Sequence, residues 1–485
     1  MNQPLTAASF QLVAATQRVT WPEHVEAVFA SLSRRRGCLW LDSAGGPAHL
    51  ARWSVLSSEP VSVLSWEEAR DHLSPGKGLL PPVARDPFAM LRETLAATSL
   101  GGNAWPSESP FGPGFYGYLS YDLAPHVEPS ATLSPVRDVP LPDLWFGLYD
   151  CVLVLDHLKH EAFLVGSAGS SREALQEALA DGAQGLPAPG RVSPDARVVD
   201  LCYPVSREAY LEAVARARQY IAAGDIYQVN LSRRLTATLH GDDPTTRLAS
   251  LYLRLRRANP APYAAYIGLA DGRAVLSSSP ELFLDLCGGR VVTRPIKGTR
   301  PLRPGDDAFN RRMRQELLAS AKDRAELVMI VDLERNDLGR LCSYGTVRVT
   351  EPRALEAYAA VHHTVATVEG RLHDGHDVVD LLRATFPGGS ITGAPKVRAM
   401  QIIAELEPVR RSVYTGAIGY LGPATPTQPA GRCILNVAIR TFLAVWPQVH
   451  VQVGGGIVAD SQPEAEFDET LDKARAMMAA LGLDT

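Results

Sequence analysis

The feature that most constrains this chain is the change of hydrophobic period between Ser206 and Leu239. From Ser206 to Ala223 the apolar residues Tyr210, Val214, Ala217 and Ile221 fall at helical spacing. Ser206 stands where a hydroxyl can cap the first turn, and Gly224 where a helix can end. From Ile226 to Leu239 the period drops to two. Tyr227, Val229, Leu231, Leu235, Ala237 and Leu239 alternate with Gln228, Asn230, Ser232, Arg234, Thr236 and Thr238, and only Arg233 interrupts the apolar row. The spacing predicts a strand with one core face and one polar face, and the polar face is either solvated or lines a site.

A length of 485 residues allows two or three average domains or one large two-lobed one. Hydrophobic residues make up 46% and charged residues 21%, enough apolar side chain for a real core. A net charge of -5 gives no electrostatic case for nucleic acid or an anionic membrane. No apolar run approaches the roughly 20 residues of a membrane span. The N-terminus, Met1 to Leu5, lacks the basic and apolar regions of a signal peptide. Cys38, Cys151, Cys202, Cys287, Cys342 and Cys433 are scattered singly, without a disulfide or zinc pattern. These observations predict a cytoplasmic protein with no nucleic-acid or membrane partner.

Residues 1–166 read as an N-terminal lobe, mostly β, with helices near 22–33 and 86–97. Cys38–Gly46 and Trp53–Leu56 look like strands joined by a turn, Phe115–Asp122 is strand-like, and a longer apolar run, Leu144–Leu155, can fill a sheet core. Residues 167–200 are rich in Gly, Ser, Ala and Pro, carry one possible helix at Arg172–Leu179, and read as a surface connection. Residues 201–485 carry the chemical signals.

Lys297 lies in Pro295-Ile296-Lys297-Gly298-Thr299, at the predicted end of a strand. Its amine either reaches into a cleft or is solvated at a loop edge. Glu281, between Pro280 and an apolar segment, is either a surface carboxylate or a desolvated general acid. Glu326 edges the apolar middle of a helix over Asp323–Leu338, and Glu466, Glu469 and Lys473 share one face of a C-terminal helix. Lone carboxylates on two helices suit Mg²⁺, which takes one or two protein carboxylates and keeps waters; solvated acids are the other reading. Two glycine-rich stretches read as anion-binding loops: Phe386–Lys396, which runs into a helix, and Val453–Val458. Neither matches a nucleotide fingerprint, so a small anion is the expected ligand.

Taken together these segments resemble the chorismate-utilising enzymes, which include component I of anthranilate synthase and of aminodeoxychorismate synthase, and the isochorismate and salicylate synthases. The matching stretches are Asp225–Ser232, Ser279–Glu281, Pro295–Thr299, Val331–Arg340, Pro387–Lys396, Tyr414–Tyr420 and Gly454–Ala474. They stand in the family's order. A looser match rests on Leu41-Asp42-Ser43 and Gly117–Asp122. The resemblance implies an α+β fold of two lobes, with two packed, mainly antiparallel sheets surrounded by helices. It also implies that residues 201–485 form a Mg²⁺-dependent chorismate-binding catalytic region.

Carried over by position, Glu326 and Glu469 are implied Mg²⁺ ligands, with Glu466 acting through water. Gly298, Thr299, Tyr414, Arg440, Gly454, Gly455, Gly456 and Lys473 are implied substrate contacts. His363 is the implied site histidine, with His362 the adjacent alternative. Isochorismate and salicylate synthases place a water-activating lysine where Gln228 stands, and anthranilate synthases have alanine where Lys297 stands. A lysine there is similar to the aminodeoxychorismate synthases, which aminate chorismate at C4 to 4-amino-4-deoxychorismate on the way to 4-aminobenzoate and folate. In that branch the lysine is a covalent nucleophile, and Glu281 is the implied acid for the departing hydroxyl. The alternative is an anthranilate synthase component I that carries lysine.

None of the six cysteines sits on the glycine-flanked turn of a glutaminase, so ammonia is expected from a separate glutamine amidotransferase subunit. Family members can also hold tryptophan in the N-terminal lobe. Ser43, Pro262, Tyr263 and Ala264 fall at the matching positions, although Asp42 replaces the glutamate of the inhibitor-binding pattern.

Overall fold

The structure, a computed structural model, describes residues 10–43, 45–67, 86–101, 108–183 and 198–483. The change of period at Gly224 is realised as expected. Helix Arg207–Ala223 starts at Ser206, whose hydroxyl accepts from the N–H of Ala209, and stops at Gly224, with φ of 84°. Strand Gln228–Leu239 follows. In its apolar row Val229 and Leu231 pack under that helix and helix Lys396–Leu406, Leu235, Ala237 and Leu239 join the core outside the larger of two sheets, and Tyr227, just before the strand, is exposed.

The other row is neither solvated nor loose. Gln228, Asn230, Ser232 and Arg234 are all buried. Arg233, the interruption, is buried too: its Nε donates to Thr470 Oγ1 at 2.7 Å and its guanidinium lies 4.3 Å from the Phe467 ring.

Two large sheets make the frame, and apart from one parallel pair, Phe10–Val13 with Thr98–Gly101, the pairing of the named strands is antiparallel. Among the described residues one sheet has 12 strands and the other 10. In the larger, strand Leu39–Asp42 pairs with Tyr263–Gly268, and in the smaller, Gly114–Leu119 pairs with Ala417–Gly422. Strands from residues 1–166 and from residues 201–485 therefore lie in the same two sheets.

A core of Leu39, Val55, Tyr116, Val152, Ile418, Tyr420 and Leu443 fills the space between the sheets. Outside the larger sheet pack helices Val25–Ser33, Ser170–Ala183, Pro244–Ala258 and Pro463–Leu481. Outside the smaller pack Pro87–Ala96, Ala321–Gly339 and Val378–Thr385. The expected α+β architecture of packed antiparallel sheets and outer helices is what the chain forms.

Three local readings differ. The apolar run Leu144–Leu155 is two strands, Leu144–Tyr149 in the smaller sheet and Cys151–Asp156 in the larger, so the chain crosses between sheets at Asp150. Both strands are covered on both faces, which is why no alternation marks the break. Helix Ser170–Ala183 is longer than the expected Arg172–Leu179 and buries Ala174, Leu175 and Ala178, so the start of the 167–200 connection is a core element. Residues 184–197 of that connection lie outside the described residues. Finally, Gly454, Gly455 and Gly456 do not form a loop. They lie inside strand Gln448–Ile457, opposite Ser232, Leu231 and Asn230.

Candidate active site

Lys297 is held by a strand that is broken on both sides. Strand Arg290–Arg294 stops at Pro295, and strand Ile296–Pro301 carries a bulge between Lys297 and Thr299, where Gly298 has φ of 79°. A Cβ on Gly298 would stand 2.9 Å from Leu317 and 3.0 Å from Asp323, so conformation and space both call for glycine. The bulge aims the Lys297 side chain inward. Its Nζ donates to the carbonyl of Ser390 at 3.0 Å, and Thr364 Oγ1 holds its backbone carbonyl. Burial pulls its pKa below the ordinary lysine value, against the opposing pull of Glu326 and Glu281.

Glu281 is 5% exposed, not a surface carboxylate. Burial raises its pKa, opposed by a hydrogen bond with the Ser390 side chain and by Lys297. One residue of the glycine-rich turn thus bonds the amine through its carbonyl and the carboxyl through its hydroxyl.

Glu326 is also pushed up by burial, against Lys297 and Lys322. Glu466 is 3% exposed. Its Oε1 accepts from Ser461 Oγ at 2.6 Å, and its Oε2 is buried without a partner among the described residues. Burial raises the Glu466 carboxyl, whereas at Glu469 burial is outweighed by Lys473, 2.7 Å away, and the carboxyl falls below its usual range.

Lys473 Nζ also donates to the Gly454 carbonyl at 2.8 Å. A Cβ on Gly455 would stand 3.3 Å from Glu466 Oε2, 3.7 Å from Glu469 Oε1 and 3.7 Å from Lys473 Nζ. The middle glycine therefore leaves the strand surface open beneath these side chains, a role in shape and not in loop flexibility.

His363 lies on the strand beside Lys297, its Nδ1 3.0 Å from Thr299 Oγ1 and 3.2 Å from the Gly298 carbonyl. Burial lowers its pKa to about 4, so the ring is neutral. His362 points to the other face of the same strand, toward Arg314, and is the less suited of the two. Arg440 has its pKa lowered by burial, lies close to Tyr414, and has no carboxylate partner among the described residues. A half-buried guanidinium without a carboxylate partner is suited to receive an anion.

Lys297, Glu281, Glu326, Glu466, Glu469, His363, Gly298, Thr299, Gly454, Gly455 and Lys473 are thus linked by hydrogen bonds and by mutual electrostatic influence; Arg440, beside Tyr414, acts on His363, and Gly456 lies against Gln228. Ser43, Pro262, Tyr263 and Ala264 are brought together elsewhere, where Ser43 Oγ donates to the carbonyls of Trp53 at 2.7 Å and Pro262 at 3.0 Å.

Four side chains escaped the reading of the sequence. Glu334 is 3% exposed on the helix that bears Glu326 and lies near Glu281. Asp337, on the same face, pairs with Lys396 beneath the turn. Glu407 and Arg411 form a buried bidentate pair. The spacing of Glu326, Glu334 and Asp337 along one helix face was available as a signal.

The donor chemistry suits a hard cation. The carboxylates Glu326, Glu466 and Glu469 offer oxygen only, and Glu466 Oε2 is buried and free. No group of three His, Cys, Asp or Glu among the described residues is arranged to hold a metal unaided.

The comparisons with known proteins agree with this geometry. The chain is 42% identical to anthranilate synthase component 1 of Streptomyces coelicolor, over 91% of this chain and 83% of that one. It is 38% identical to aminodeoxychorismate synthase component 1 of Salmonella typhimurium, over 95% of this chain and 96% of that one. Its fold superposes on anthranilate synthase component I of Streptococcus pneumoniae with a TM-score of 0.71 at 32% identity, covering 88% of this chain and 92% of that one. The menaquinone-specific isochorismate synthase of Escherichia coli shares the fold, with a TM-score of 0.70 at 17% identity, covering 99% and 96%. The model of the chorismate binding enzymes matches residues 37–479, a span that holds every side chain of the site, and the chain belongs to that family.

Proposed function

We propose that this chain aminates chorismate at C4 to 4-amino-4-deoxychorismate, as component 1 of an aminodeoxychorismate synthase. The observation that carries the reading is Lys297, whose amine is turned into the site and lowered in pKa beside Glu281. A free lysine titrates near 10.4, so a neutral amine at pH 7 costs about 4–5 kcal/mol, and burial reduces that cost.

The neutral amine attacks C2 of the ring. Glu281, its pKa raised by burial, protonates the C4 hydroxyl, which departs as water while the double bond shifts. Ammonia then adds at C4, the double bond shifts back, and Lys297 leaves C2. Arg440 grips a substrate carboxylate, and neutral His363 offers Nε2 as a hydrogen-bonding group that does not compete for it. Gln228 has no acid–base function and does not activate water in place of ammonia.

Glu326 and Glu469 would hold Mg²⁺, with Glu466 acting through water. When bound, the ion supplies positive charge that orients a substrate carboxylate.

Ammonia comes from a separate glutaminase subunit. Cys342, the nearest match to a nucleophilic setting, is buried with its thiol pushed up to about 11, and is no nucleophile. All six cysteines are free, which suits a reducing cytoplasm, and no helix among the described residues is long and apolar enough to cross a membrane. Tryptophan at Ser43 and Pro262–Ala264 belongs to the same proposal, and equilibrium dialysis with labelled tryptophan tests it.

The second reading is anthranilate synthase, favoured by identities of 42% and 44% to two such enzymes against 38% to the aminodeoxychorismate synthase of Salmonella typhimurium. Mass spectrometry after incubation with chorismate and Mg²⁺ but no ammonia separates them. The expected result is an adduct on Lys297 that Lys297→Ala lacks. Anthranilate fluorescence with ammonia, undiminished in Lys297→Ala, would overturn the proposal.

A further inference from the structure

Glu334 has no part in the reaction as drawn, yet it is buried directly behind it. The helix Ala321–Gly339 presents Ile330, Glu334 and Asp337 inward, with Glu326 at the edge of the site. Thr293 Oγ1 lies 3.5 Å from Glu334 Oε2, and the carboxyl accepts the N–H of Gly389. A Cβ on Gly389 would stand 3.4 Å from Glu334 Oε1 and 2.6 Å from Leu333, so the turn is seated tightly on this helix.

Gly389 is followed by Ser390, which accepts from Lys297 through its carbonyl and bonds Glu281 through its side chain. The rest of the turn is tied down independently. Thr392 Oγ1 donates to the Gly388 carbonyl at 2.9 Å, Arg411 Nη1 donates to the Ile391 carbonyl at 3.0 Å, and Lys396 pairs with Asp337. Thr392 also holds the Gly389 carbonyl, through its N–H and its Oγ1, both at 3.3 Å, and Glu334 is the carboxylate that reaches the Gly389 N–H.

We propose that Glu334 is a positioning residue for Lys297 and Glu281, acting with Thr392 to fix the turn at Gly389, whose neighbour Ser390 holds both. The inference rests on the assignment of nucleophile and acid above, but not on which product forms. An apolar side chain at this place would leave the Gly389 N–H without its acceptor and loosen the seat of Ser390, which Thr392 would then hold from one side only. Burial beside Asp337 pushes the Glu334 carboxyl up to about 8, so at neutral pH it does this largely uncharged. A neutral isostere should therefore serve in its place.

The test compares Glu334→Gln and Glu334→Leu, with chorismate consumption read by absorbance, which is independent of product. Glu334→Leu should lower kcat by about 10- to 100-fold, the cost of a small misplacement of reacting groups. KM should change by less than about threefold, because the residue is remote from the ring. Glu334→Gln, which keeps a carbonyl acceptor for Gly389, should restore kcat to within about threefold of wild type. A role in folding alone predicts no such split between the two variants at equal thermal stability. If Glu334→Leu does not fold, Glu334→Asp takes its place, one methylene too short to reach Gly389.

A second arm needs no substrate. Trace acetylation of Lys297, referenced to exposed Lys322, should rise at least about threefold in Glu334→Leu and not in Glu334→Gln, as the amine loses its fixed acceptor. Folded Glu334→Leu with wild-type kcat, or Glu334→Gln as impaired as Glu334→Leu, overturns the inference. If the wild-type protein does not consume chorismate, the functional reading fails, and the acetylation arm still decides this one.

Discussion

Replacing Glu407 by glutamine should cost about 3–5 kcal/mol of stability, because it leaves a guanidinium charged and uncompensated in the interior. Glu407 and Arg411 are each 2% exposed. Arg411 Nε donates to Glu407 Oε2 at 2.8 Å and Nη2 to Oε1 at 2.6 Å, a fork-to-fork pair in the segment after helix Lys396–Leu406. The same Oε1 accepts from Ser232 N–H and Ser232 Oγ, both at 2.8 Å.

Glutamine keeps the shape and one acceptor oxygen for Ser232 and Nη2. It removes the charge and turns an NH2 toward Arg411 Nε–H, two donors facing each other. The loss should therefore exceed that of an ordinary hydrogen bond, about 1 kcal/mol, by severalfold.

The pair also bears on the site. Arg411 donates to the carbonyls of Ile391 at 3.0 Å and Asn230 at 2.7 Å, joining the turn that carries Ser390 to the strand that carries Gln228. The assay is urea unfolding followed by intrinsic fluorescence at pH 7.5, with chorismate consumption measured on the folded protein. A loss below about 1 kcal/mol, the range of an exposed ion pair, would refute the claim that this charge is desolvated and held by Glu407 alone.

Two further outcomes follow from other parts of the structure. His450, buried against Thr236 and pushed down to about 4 by burial, stays neutral in the fold but protonates near 6.5 when unfolded. The unfolded chain binds the extra proton between those values, so stability falls as pH drops from about 6.5 to 4, by about 3 kcal/mol for this group. His450→Gln should flatten that part of the pH–stability curve, and an unchanged slope in urea unfolding at pH 4.5 to 6.5 would contradict it. Gly455→Ala places a methyl 3.3 Å from Glu466 Oε2 and 3.7 Å from Lys473 Nζ. Turnover should fall at least about tenfold with thermal stability little changed, and equal turnover would remove the glycine from the substrate surface.

Much of the fold was legible because the signals are local. The cap at Ser206, the stop at Gly224 and the two periods on either side depend on residues within a turn of one another, and each formed as read. The same holds for the helix that offers Glu326 and for the C-terminal helix with Glu466, Glu469 and Lys473 on one side. The chemistry-bearing residues could be named from ordered motifs, but not their state. Whether Lys297 and Glu281 were solvated or buried stayed open until Ser390, far along the chain, was seen to bond both.

Only the tertiary structure decided the rest. It turned the apolar run at 144–155 into two strands of different sheets, made three glycines part of a paired strand, and covered the polar row of strand Gln228–Leu239. It also set Glu334 behind the site and matched Arg411 to carbonyls of Asn230 and Ile391. Propensity, capping and alternation are properties of neighbouring residues. Burial, pKa and the partner of a buried charge depend on which distant segments close over a side chain, and the residue pattern along the chain does not carry that information.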